Sequence, residues 1–170
     1  MFKKTLLVIA WIVFCAGSVQ AVDISALVGK RISEDGKILD LTGLNIGPKG
    51  AKQLAAIPSL SSLTTLHLQG NRIRARGMKA LAKSPHLVNL KHLDLWGNML
   101  GDIGLKAIAE SPYLIHLESL KLWKNEISDD SMEFLVSSKN FSNLKTLMLN
   151  DNIITSLGAS IIAKSENFLQ

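Results

Sequence analysis

Asparagine recurs at Asn71, Asn98, Asn125 and Asn152, 27 residues apart each time, and its surroundings recur with it. Leu66, Leu68, Ile73, Gly77, Leu81 and Ala82 of one unit return as Leu93, Leu95, Leu100, Gly104, Ile108 and Ala109. The next two copies read Leu120, Leu122, Ile127, Ser131, Leu135, Val136 and Leu147, Leu149, Ile154, Gly158, Ile162, Ala163. One step earlier, Leu39, Leu41, Ile46, Gly50, Leu54 and Ala55 fill the same frame, with Leu44 at the asparagine's place. A fixed period of this length marks a chain built by stacking one supersecondary unit. A single unit cannot cover its own leucines, so burial has to come from its neighbours along a line.

Within the unit the apolar spacing changes. Around Leu93-Asp94-Leu95 it has period two, which sends both leucines to one side and their neighbours to the other, as in a strand. From Gly104 it becomes Leu105, Ile108, Ala109, one face of a helix that can lie against the strand's inner side. Pro58, Pro85 and Pro112 recur just beyond that helix, where a missing amide hydrogen and a restricted preceding residue stop it. The unit reads strand, turn, helix, return.

This LxxLxLxxNxI pattern followed by GxxxLA resembles the leucine-rich-repeat family, in the long-repeat form similar to ribonuclease-inhibitor-type proteins. The resemblance covers Gly36 to Gln170 as five 27-residue repeats. It implies an α/β leucine-rich-repeat solenoid, a short right-handed arc or horseshoe with a parallel β-sheet inside and helices outside. It also implies that each asparagine amide satisfies backbone groups of its own and the adjacent repeat. Leu44 breaks that ladder, so the first copy joins residues 22–35, which have no repeat signature, as an amino-terminal cap. Ser131 in place of the glycine, and Lys139 and Glu166 in place of the proline, point to looser helix ends in the last two units. Gln170 closes the fifth unit with no capping segment after it. That end is either frayed, with Phe168 and Leu169 folded back as a partial lid, or an apolar surface that pairs with a second copy in a homodimer or with another protein.

Residues 1–21 have the layout of a signal peptide: Lys3 and Lys4, an apolar run from Leu6 to Ala16, and Val19-Gln20-Ala21 before the cut. The run is short of the roughly 20 apolar residues that span a bilayer, so no stable membrane insertion is expected after cleavage. The chain is thereby expected to be secreted or periplasmic. Cys15 is the only cysteine and lies inside the leader. Lipidation there is the weaker reading, because bulky Phe14 stands where a small residue is wanted. The cleaved chain has no disulfide to rely on and holds together by packing. Losing Lys3 and Lys4 with no acid lowers the formal charge from +5 to +3. No basic motif concentrates that charge, which argues against nucleic acid.

The outward side chains of successive strands form columns across the sheet. One runs Thr42, Gln69, Trp96, Trp123, Asn150; the next runs Asp40, His67, Asp94, Lys121, Met148. Trp96 and Trp123, the two tryptophans beyond the leader, fall side by side in one column. Bordered by His92, Asp94, Lys121 and Lys124, they form either an aromatic binding anchor with a polar rim or a pair of indoles packed on each other. His67, His92 and Asp94 share this face, but three donors without a supporting pattern argue for ordinary polar contacts over a metal. Arg72, Arg74, Arg76, Lys79 and Lys83 make the one local basic concentration. It is a solvated face or a docking patch for an acidic surface or a phosphate-bearing polymer. Asn140-Phe141-Ser142 matches a glycosylation sequon by accident, since Phe141 occupies a core position.

No HExxH, GxSxG, Walker loop or CxxC occurs, and no acid, base and nucleophile converge, so neither an enzyme nor a cofactor is expected. The expected function is a protein-binding scaffold that uses the strand face, with Gln69, Trp96, Trp123, His67, His92, Asp94, Lys121 and Lys124 as contact residues. An envelope glycan stacked on the tryptophans is the alternative, and a host-directed effector fits the same features.

Overall fold

The computed structural model describes residues 23–165. The leader with Cys15, and the carboxyl-terminal Phe168 and Leu169, lie outside them. Five three-residue strands, β1 (Ile38–Asp40), β2 (Thr65–His67), β3 (His92–Asp94), β4 (Ser119–Lys121) and β5 (Thr146–Met148), form an open parallel sheet in chain order. Their register follows the 27-residue period: Leu39, Leu66, Leu93, Leu120 and Leu147 pair in one row. Each strand returns through a helix: α2 (Gly47–Leu54), α3 (Arg74–Ala82), α4 (Gly101–Ala109), α5 (Met132–Ser137) and α6 (Ser156–Ala163). Before them, α1 (Ile24–Arg31) packs on the first repeat through buried Ile24 and Val28, and Ile32 pairs antiparallel with Leu39.

The core is a single line of leucines between sheet and helices. Leu66, Leu93 and Leu120 are sealed, whereas Leu147, the same residue in the last strand, is only partly buried. Among the described residues no strand pairs with β5 on its far side, and full burial of such a side chain is worth about 1.5–3 kcal/mol. Leu149, Ile154, Ile161 and Ile162 are likewise half-covered, and Ile153 and Leu157 are exposed.

The repeated glycine is where adjacent helices pass. A Cβ on Gly77 would stand 2.6 Å from Ile73 and about 3 Å from Ala51 and the backbone of Pro48. Ser131 takes this position in the fourth repeat. There a 3-10 turn (Asp129–Ser131) precedes a helix of only six residues, and the Ser131 hydroxyl bonds the Ser128 carbonyl.

The asparagine amides are wholly engaged. Asn98 Oδ1 accepts from the Asn71 and Ile73 amides at 3.1 and 3.2 Å, and its Nδ2 donates to the carbonyls of Leu68 and Leu95 at 2.9 Å. Asn71, Asn125 and Asn152 repeat the pattern, so each buried amide stitches its own turn to the preceding one.

A second ladder runs down the helix ends. The hydroxyls of Ser84, Ser111 and Ser138 donate to Ala55, Ala82 and Ala109 carbonyls at 2.5 to 2.6 Å, and each accepts an amide two residues on. This explains why the return after α5 keeps its 3-10 turn (Lys139–Phe141) although Lys139 replaces the proline. The fourth return thus keeps its turn without a proline, while α5 before it, at six residues, is shorter than the helices of the other repeats; Glu166 lies outside the described residues. Phe141 is buried, and Asn140 Nδ2 donates to the carbonyls of Ile108, Ala109 and Ser111, so the sequon amide is already used.

Candidate functional site

The backbone ladder continues past the strands. Amides of Gly43, Gly70, Gly97 and Lys124 donate to the carbonyls of Gln69, Trp96, Trp123 and Asn150 in the following repeat. Continued pairing keeps Trp96 and Trp123 side by side on the strand face, 47% and 39% exposed. With Gln69, Asp94, Lys121 and Met148 they line a cleft of about 260 Å³. Among the described residues no ring contact joins the two indoles to each other.

Beneath Trp96, Asp94 Oδ1 accepts that residue's own amide at 3.2 Å, a side-chain turn that fixes where the indole leaves the backbone. Its other oxygen meets Lys121 Nζ at 3.4 Å. Asp94 is only 8% exposed, so the outward column is not uniformly open to water as the alternation implied. Its neighbours on the same face cover it. In the first repeat Asp40 accepts from the Thr42 amide at 2.9 Å, and Thr42 Oγ1 donates to Gln69 Oε1 at 2.8 Å, which orders one edge of the cleft.

Five of the eight residues nominated from sequence thus line one cleft: Gln69, Asp94, Trp96, Lys121 and Trp123. His67, His92 and Lys124 do not. His67 pairs across the strands with Asp40 and Asp94, and its Nδ1 is shut from solvent without a partner. His92 is exposed one row away. Lys124 sits in the turn beyond the strand, with a left-handed φ of 53°, and does not line the cleft. Among the described residues, no group of three or more His, Cys, Asp or Glu could hold a metal ion. Met148, which also lines the cleft, stands in the outward column but was not nominated as a contact. The signal was its place in the Asp40, His67, Asp94, Lys121 row.

Edge charges are organised separately. Glu118 is gripped by Lys91 at 3.0 Å and Lys145 at 2.7 Å, and hydrogen bonds from Lys145 and Lys91 lower its pKa to about 2. No helix among the described residues is long and apolar enough to cross a membrane.

Residues 59–82, 86–109 and 113–136 each match the family model described as Leucine Rich repeat. These are leucine-rich repeats. With the parallel sheet and its returning helices, they make the chain an α/β leucine-rich-repeat solenoid. Leucine-rich repeats are in general protein-binding scaffolds, and typically non-enzymatic, because stacked units offer an extended surface that a partner can follow. No curated protein matches the chain.

Proposed function

We propose that the protein is a non-enzymatic scaffold that docks a protein partner against its strand face, with Trp96 and Trp123 as the anchor. The observation that carries this reading is the pair of exposed indoles lining one cleft above a largely buried, ion-paired Asp94. Tryptophan is enriched at interface centres, where its large apolar area is removed from water at little entropic cost. Asp94 holds the backbone of Trp96, so the anchor is ordered before a partner arrives. The 27-residue period with a helix in every return supports the long-repeat, ribonuclease-inhibitor-like subtype.

The partner is expected in recoveries with immobilised wild type and lost with Trp96→Ala/Trp123→Ala, the fold being checked by circular dichroism. Equal recovery on both would remove the case for this face. An open cleft walled by two indoles also suits flat sugar rings, which favours envelope glycan as the second reading. Saturable quenching of tryptophan fluorescence by cell-wall fragments would move the partner class to sugar. The leader reading belongs to the same proposal: an exported protein would begin at Val22 on amino-terminal sequencing.

A further inference from the structure

The helix side of the molecule carries a second surface, between α3 and α4. Lys79, Ala82 and Lys83 from one wall and Ile103, Ala107 and Glu110 from the other line a groove of about 470 Å³. Ile103 is 55% exposed, at a position filled by Lys49, Arg76 and Asp130 in the first, second and fourth repeats and by exposed Leu157 in the fifth. The fold therefore works with a polar residue there, and burial in the core does not explain the isoleucine.

Charge is as uneven as polarity. No aspartate or glutamate stands between Asp40 and Asp94, a stretch that supplies Lys49, Lys52, Arg72, Arg76, Lys79 and Lys83. Arg76, Lys79 and Lys83 are spaced three and four apart along α3 and its carboxyl-terminal cap, which aligns them as one ridge, and Lys79 and Lys83 line the groove. Among the described residues none of these three is in an ion pair. On the far wall Glu110 is tied to Lys106 at 3.7 Å, and Lys106 also lies 4.5 Å from the Phe134 ring. The placement works against the helix. Arg74 and Arg76 open α3 with no acid in its first turn, where the helix dipole disfavours cations, and Arg74 takes a left-handed φ of 57° where the first and third repeats have glycine.

We infer that this groove docks an acidic, amphipathic segment of a second protein partner, its apolar face on Ile103 and Ala107 and its carboxylates along the Arg76, Lys79, Lys83 ridge. Charge complementarity selects an anion. The apolar wall selects a peptide, because a polyphosphate or nucleic acid gains nothing from Ile103. The inference stands apart from the strand-face proposal and makes the molecule two-sided.

The probe is a fluorescein-labelled peptide about 18 residues long, enough to hold a helix, with glutamates on one face and leucines on the other. Its anisotropy is expected to rise saturably with wild type. Binding should weaken about tenfold for Lys79→Ala/Lys83→Ala and about fivefold for Ile103→Ser, both at exposed positions, since charge and buried apolar area each contribute. Trp96→Ala/Trp123→Ala should bind the peptide as wild type does, so failure here and failure at the strand face read out separately. Absence of saturable binding would overturn the inference. So would an unchanged affinity in Ile103→Ser, or equal binding of a scrambled peptide or polyphosphate, which would leave only a nonspecific anion patch.

Discussion

The turn that follows the anchor is built in two ways along one solenoid. In the first three repeats the residue three places on, Gly47, Arg74 or Gly101, takes a left-handed φ of 57° to 62°, and its amide donates to the carbonyl of the next asparagine. In the last two, Ser128 and Thr155 stay on the negative side, at φ −112° and −97°, and accept the amides of Asp130 and Leu157. Each is also held by a carboxylate of the preceding repeat. Asp102 takes the Ser128 amide and hydroxyl, both at 2.8 Å, and Asp129 takes those of Thr155 at 2.9 and 2.5 Å. One half thus uses conformational freedom and the other side-chain hydrogen bonds to keep the same period. The first device is indifferent to pH; the second is not.

Removing what both halves share should have the largest effect. Asn98→Ala leaves two buried amides and three carbonyls, those of Leu68, Leu95 and Trp96, without their partner, so a loss of about 3 kcal/mol or more is expected in urea unfolding. Asn152→Ala, in the half-covered last repeat, should lose clearly less because water reaches its partners. Equal losses would mean that the end repeat is as sealed as the interior.

The left-handed positions offer a sharper contrast. Arg74→Gly should raise stability by about 1 kcal/mol, since an L-residue there is strained, and Gly101→Ala should lower it by a similar amount. If thermal melts moved in the same direction for both, backbone conformation would not be what distinguishes the first three repeats.

Asp102→Ala should lose about 1 kcal/mol, discounted for a partly solvated carboxylate, with amide exchange quickening around Ser128 rather than around Arg74. Acid should separate the halves further. Burial pushes the Asp102 carboxyl up, but the hydrogen bonds from the Ser128 amide and hydroxyl outweigh it and hold it below its usual 3.8. The Thr155 hydroxyl and amide hold Asp129 below the same value. Folded-state values that lie below the unfolded ones add stability that is complete above about pH 4 and is lost as pH falls through the lowered values. Glu118 follows the same sign from 4.5 to about 2. Hydrogen exchange should therefore show repeats four and five opening before two and three as pH drops. The comparison excludes the first repeat, because Asp35 and Asp40 are held low there by Ser33 and Thr42. Simultaneous opening would show that the carboxylate ladder adds nothing to the last two repeats.

Much of this was readable in advance, and particular residues show where reading stopped. The leucine rows and asparagine anchors were legible because a period of 27 leaves one way to bury them. Ser84, Ser111 and Ser138 carried the same period, yet a serine by itself suggests only solvent, and its acceptor is a carbonyl 29 residues away. Asp102 and Asp129 gave no signal in the sequence for the same reason: their partners stand in the following repeat. The tryptophan column was visible. That Asp94 is buried beneath it, and that Met148 joins it while His92 does not, depends on side chains from three different strands.

Sequence alone determined the number of turns, the strand register and the identity of the core, since a repeating apolar pattern dictates which residues must leave water. Tertiary structure decided which polar side chains bridge adjacent turns, which of the nominated contact residues share a cleft, and where the helix side is left open. Those outcomes depend on distances between residues a full turn apart, and no local preference encodes them.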